Sequence, residues 1–156
     1  MADSSYLKDV VEPFVAGWVS QRIGVPLTKR RIVGGPRTDG TPVRFEFDGV
    51  SEDDKVGLLV STSLTVKPGG TRKLHVDASI LLNTAFDRRL MAFISEDVRL
   101  NFVNKCDGLL PLSRMEMFVC DELPPEMSAA IARFQAKAKA EVGDQGKQWK
   151  PGGKRR

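Results

Sequence analysis

The 156-residue chain predicts an α/β fold, a central mixed β-sheet flanked by helices. Three observations carry that expectation. Apolar residues switch repeatedly between a helical spacing of three to four and a strand alternation of two. After a first helix, three strand segments follow one another with only turn-rich stretches (GGPRTDG, SEDD) between them, the pattern of an antiparallel meander. Two strand–helix–strand units follow, and such crossovers make parallel strands.

Each element has its own signal. Val11, Phe14, Val15, Trp18, Val19 and Ile23 recur at helical spacing, and Gly24 stands where that helix should stop. Pro13 has no N–H to give a helix interior, so it is either the first residue of the main helix or a kink. VPLTKRRIV and TPVRFEF read as the strands of a long hairpin. In the second, Val43, Phe45 and Phe47 alternate with Arg44, Glu46 and Asp48, one face apolar and the other charged. The segment from Val56 to Val66 is apolar on both faces at its start and belongs inside the sheet. PGG ends it, and Thr71 or a neighbour begins a helix using Leu74, Ala78, Leu81, Leu82 and Ala85. RRLMAFI is another buried strand. Ser95-Glu96-Asp97 then starts a helix, a hydroxyl cap followed by two acids that suit the helix dipole. RMEMFVC is the last strand. Pro124-Pro125-Glu126 opens an amphipathic helix through Met127, Ile131, Phe134 and Ala138 to Gly143. Residues 1–143 are thus expected to form one domain and 144–156 a basic, disordered tail.

Composition narrows the class. Hydrophobic residues make up 41% and charged residues 28%, ordinary values for a globular protein. No run approaches the roughly 18–20 apolar residues of a membrane span, and MADSSYLKDVVEPF does not resemble a secretory signal. The expectation is a cytoplasmic protein with no membrane partner, its two cysteines, Cys106 and Cys120, reduced and packed. The net charge of +4 is concentrated at one end. Residues 144–156 carry five bases and one acid, which leaves 19 bases and 19 acids in residues 1–143. Such a tail is either solvating or a short arm for nucleic-acid phosphates.

Phe47-Asp48-Gly49 near the end of the second strand, an acidic turn, an apolar third strand and a glycine-opened helix form the most informative stretch. Together with the element order, it resembles the restriction-endonuclease-like PD-(D/E)xK superfamily over residues 5 to 120. The resemblance implies an αβββαβ core with added α/β elements. It also implies that Asp48 and an acid on the third strand hold a divalent metal, while a Lys two residues beyond that acid helps activate water. Hard cations such as Mg²⁺ take oxygen ligands, which is why carboxylates are grouped in this way. Here Leu59 stands where the acid belongs and Ser61 where the Lys belongs. Relocated groups that would restore a site are Glu46 on the strand face of Asp48, Glu12 at the start of the first helix, and Lys67 or Lys73. The bland alternative for Glu46 and Asp48 is a solvated strand face.

Other motifs weigh less. Ser51-Glu52-Asp53-Asp54 lacks the ligand spacing of an EF-hand and reads as a hairpin tip. Gly69, Gly70, Thr71, Arg72 and Lys73 open a helix and could contact a phosphate, or could be a plain helix start with solvated cations. His75 stands alone and reads as a surface helix residue. Lys29-Arg30-Arg31 lies in a strand, with Arg30 sent to the opposite face, and guards a sheet edge.

The function these readings predict is a non-catalytic restriction-endonuclease-like domain without cofactor, acting as a nucleic-acid-binding or scaffolding subunit. Its nucleic-acid contacts would be the tail and the Lys67–Lys73 region. One alternative is an active Mg²⁺-dependent nuclease with relocated acid and Lys, in which Asp48, Glu46 and Lys67 are catalytic and Asp48 and Glu12 hold the metal. Another is a protein or small-molecule interaction module on the same fold.

Overall fold

The computed structural model describes residues 5–148. Its five-stranded sheet has the order β1-β2-β3-β4-β5, with β1 at Thr28–Pro36, β2 at Pro42–Val50, β3 at Val56–Ser61, β4 at Arg88–Phe93 and β5 at Glu116–Val119. The first three strands are antiparallel and the last three parallel, as meander and crossovers dictate. Four helices flank it: α1 (Glu12–Ile23), α2 (Gly70–Leu82), α3 (Glu96–Cys106) and α4 (Pro125–Gln148). Among the described residues no helix is long and apolar enough to cross a membrane.

Strand alternation builds two cores. Phe47, Val50, Leu59, Met91 and Phe93 meet Leu74, Ala78 and Leu81 of α2 and Val98 and Phe102 of α3 on one face. Val56, Leu58, Leu90 and Ala92 meet Val15, Trp18 and Val19 of α1 and Met127 and Ile131 of α4 on the other. A helix–sheet–helix sandwich results. At Gly57 the layers approach closely: a Cβ there would stand 2.1 Å from the ring of Phe86.

The structure resolves the choice at Pro13. The chain enters α1 through a π-helical turn, Leu7–Val11, and Pro13 occupies the opening of the α-helix proper. The wider turn, in which Glu12 N–H donates to the Leu7 carbonyl, accommodates the ring that would strain a continuous α-helix. Gly24 closes α1 in the left-handed region at φ 69°.

Three expected boundaries are corrected, the first being α2, which ends at Leu82 and leaves Ala85 outside the helix. The third strand ends at Ser61 rather than Val66, because Gln135 of α4 clasps the chain beyond it. Its Nε2 donates to the Thr62 carbonyl at 2.9 Å and its Oε1 accepts from Leu64 N–H at 3.2 Å. The last helix continues past Gly143 to Gln148. An interior Gly costs only about 1 kcal/mol, which the helix formers of AKAKAEV outweigh. Residues 144–148 of the expected tail are therefore helical, and 149–156 lie outside the described residues.

Candidate active site

The site begins with a gap in the sheet. β2 and β3 pair through only two residue couples, Gly49 with Leu58 and Val50 with Gly57. Beyond them the Val60 N–H is taken by the Asp48 side chain, Oδ2 accepting at 2.7 Å. Asp48 thus sits where the strands part, tied to β3 by a charge-assisted hydrogen bond.

The π-helical turn and Pro13 bring Glu12 over this spot. Glu12, Pro13, Ala16 and Gly17 of α1 close a cavity of about 150 Å³ with Leu27, Lys29 and Asp48. Glu12 and Asp48 face each other across this cavity, close enough for their carboxyl groups to act on one another. Burial first, then the negative charge and hydrogen bond of Asp48, push the Glu12 carboxyl up to about 7; Lys29 and Lys73 oppose this. Glu12 therefore keeps its proton to higher pH than an ordinary glutamate.

Two lysines and a third acid surround the pair. Lys29 Nζ lies 3.7 Å from Glu12 and 3.6 Å from Glu46. Lys73 acts on both Glu12 and Asp77. The Asp77 carboxyl is raised by burial, lowered by Lys73 and raised by Asp48, so it shares the field of the site. Among the described residues no three His, Cys, Asp or Glu side chains cluster closely enough to hold a metal between them. Two carboxylates are nonetheless a usual protein share for Mg²⁺, which keeps several waters and binds substrate phosphate. The hard oxygen donors of Glu12 and Asp48, side by side in one cavity, fit such a cation.

The candidate residues separate accordingly. Asp48 and Glu12 come together, and Lys73 lies within their electrostatic reach. Glu46 is half exposed, paired with Lys29 and, at 3.9 Å, with Arg31, and joins the site only through Lys29. Lys67 lines a small crevice with Gly70, Thr71 and Asn101, and is not among the groups acting on Glu12 or Asp77. Gly69 takes the left-handed conformation at φ 81° and starts α2, while Thr71 accepts a hydrogen bond from Asn101; Arg72 is exposed. Leu59 packs on the α2–α3 face of the sheet, and Ser61 shares its parity. Both point away from α1, so the positions facing Asp48 from β3 are Leu58 and Val60, and neither is acidic. Lys29 and Asp77 were missed. Lys29 needs a bulged register between β1 and β2 that no sequence pattern announces. Asp77 had a readable signal, standing one helical turn after Lys73.

Arg30 faces away from Lys29 and pairs with Asp54, while Asp53 accepts from Ser51 Oγ and Lys55 N–H, so these two acids serve the hairpin tip. His75 contacts the buried Cys106, with Nδ1 3.7 Å from Sγ, away from the pair. Burial raises both thiols, as expected of packed cysteines. A larger apolar cavity of about 790 Å³, lined by Ile32, Val43, Phe45, Val76 and Phe86, lies under the β1–β2 hairpin and holds none of the candidate site residues.

Comparison with models of protein families, with curated proteins and with solved structures found no match to this chain.

Proposed function

We propose that this protein is a divalent-cation-dependent phosphodiester hydrolase, a nuclease on a restriction-endonuclease-like core whose site is built from Glu12 and Asp48. The observation that carries the reading is the pairing of Glu12 and Asp48 in one cavity beside Lys29, where β2 and β3 part. Two acids so placed disfavour joint ionisation unless a cation offsets their charge. The expectation of a non-catalytic domain rested on Leu59 and Ser61, which face the other side of the sheet. Glu12 supplies from α1 the second carboxylate that β3 lacks.

Each residue has a role in this reading. Glu12 and Asp48 would hold the cation, and the Val60 N–H fixes the orientation of Asp48. A cation there supplies charge to a phosphate oxygen and makes bound water more acidic. Lys73 offers positive charge to a phosphate and lies in the field of Asp77, one turn away on α2. Lys29, shared between Glu12 and Glu46, holds the acidic wall of the cavity together. A second reading, nucleic-acid binding without cleavage, draws on the absence of any acid in Val56–Ser61.

The test is nicking of supercoiled plasmid and of single-stranded DNA and RNA in Mg²⁺ or Mn²⁺. Cleavage abolished by chelator and reduced on the order of 100-fold or more in Asp48→Asn and Glu12→Gln supports the proposal. Absence of cleavage on every substrate, or cleavage indifferent to both substitutions, would overturn it.

A further inference from the structure

We infer that the β1–β2 ribbon is a docking arm for double-stranded nucleic acid, carrying the duplex backbone toward the Glu12–Asp48 site. The inference takes the phosphodiester reading of that site as its premise.

The arm is a product of the parted strands. β2 pairs with β1 from Pro42 to Val50 but with β3 only at Gly49 and Val50. From Pro42 to Phe47 the ribbon is therefore two-stranded, about 17 Å long at 3.4 Å per residue. A two-stranded ribbon is also an element that the major groove, about 12 Å wide, admits.

Within residues 1–143, positive charge is concentrated on this arm. From Thr28 to Phe47 there are five bases, Lys29, Arg30, Arg31, Arg37 and Arg44, against Asp39 and Glu46, a net of +3. The remainder of residues 1–143 holds 14 bases and 17 acids, a net of −3. The neutrality of that region is thus an average over a basic arm and an acidic remainder. Register divides the arm's faces: Arg31 stands opposite Glu46 and Val33 opposite Arg44, while Ile32 opposite Phe45 and Arg30 opposite Phe47 lie on the other face. The Arg31–Glu46 face leads to the site without a break, through Arg31, Glu46, Lys29 and Glu12. Arg31 is 70% exposed, and Arg37 and Arg44 are exposed and make no ion pair with another described residue.

The missing aromatics select duplex over single strand. Single strands are held by bases stacked on aromatic rings, whereas a duplex is held through its phosphates. The arm's rings, Phe45 and Phe47, turn toward α2 and pack against each other and Phe86, leaving Arg31, Arg44 and Glu46 but no ring on the face that leads to the site.

The experiment is a salt titration of binding to a fluorescent 20-base-pair DNA duplex and to its single strand. It uses the full chain in EDTA, so that cleavage plays no part. Arg37→Ala/Arg44→Ala should weaken duplex binding about tenfold at low salt and lower the log–log salt slope by about 1.8, roughly 0.9 for each phosphate that the variant no longer neutralises. Arg37→Lys/Arg44→Lys should restore both, since neutralising a phosphate in this way needs only the charge. Unchanged duplex affinity and slope in the alanine variant would overturn the inference, as would single strand bound more tightly than duplex. Because binding is read without metal, loss of cleavage in the Glu12 and Asp48 variants and loss of binding in the arginine variants fail or succeed independently.

Discussion

Glu12→Gln should make the protein more stable at pH 8 than the wild type while changing little at pH 5. The folded state holds the Glu12 carboxyl at about 7 against an ordinary 4.5, chiefly through burial and the charge of Asp48. Between these values the folded chain binds more protons than the unfolded one, so stability falls as pH rises from about 4.5 to 7 and stays reduced above. At about 1.36 kcal/mol per unit the shift sets a ceiling of about 3.4 kcal/mol. The side chain is 20% exposed, and solvent screening brings a realistic figure to roughly 1.5–2 kcal/mol. Most of this accrues between pH 5 and 8. Glutamine cannot ionise yet keeps an N–H to donate to Asp48. For a chain of this size, the Tm of Glu12→Gln relative to wild type should be higher at pH 8 than at pH 5 by about 3–5 °C. The carboxyls of Glu96 and Glu116, held low by hydrogen bonds from Arg99 and Arg88, affect stability only at more acid pH and do not confuse the window. Thermal unfolding of both proteins at the two pH values is the assay. A variant equally destabilised at both, or a wild type with flat stability from pH 5 to 8, would refute the reasoning.

Two predictions concern the scaffold. Gly57→Ala should cost about 1–3 kcal/mol in urea denaturation, because Phe86, held edge-on against Phe47 at 5.2 Å, cannot easily leave the space the Cβ needs; a loss under about 0.5 kcal/mol would contradict that packing. Ser95→Ala should cost about 1 kcal/mol by removing the hydroxyl that accepts from Val98 N–H at 3.3 Å, and an unchanged urea midpoint would show that Glu96 and Asp97 suffice to start α3.

Local signals were the legible ones. The alternation from Val43 to Asp48 states which residues share a face, and Gly24 and Ser95 mark helix ends through the conformation and hydrogen bond each supplies. Asp48 and Glu12 could be named as candidates because the resemblance assigns acids to those places. What escaped was decided between elements. A one-residue difference in where β3 begins facing the core moves Leu59 from one side of the sheet to the other. The strand-like Thr62–Val66 lost to a clasp from Gln135, more than 70 positions away in the chain. Lys29 reaches Glu12 only because the ladder slips between Thr28 and Arg30. The overall balance of 19 bases and 19 acids concealed a +3 arm, since charge totals carry no information on where strands part.

The most direct test of the Glu12–Asp48 site is calorimetric titration with Mn²⁺ in buffers of different ionisation enthalpy, which counts protons released on binding. With the Glu12 carboxyl raised to about 7, binding at pH 6 should release close to one proton, falling toward none by pH 8.5. Asp48→Asn and Glu12→Gln should each abolish binding. Absence of Mn²⁺ binding to the wild type, or binding with no proton release that survives both substitutions, would contradict a cation site between these two carboxyl groups.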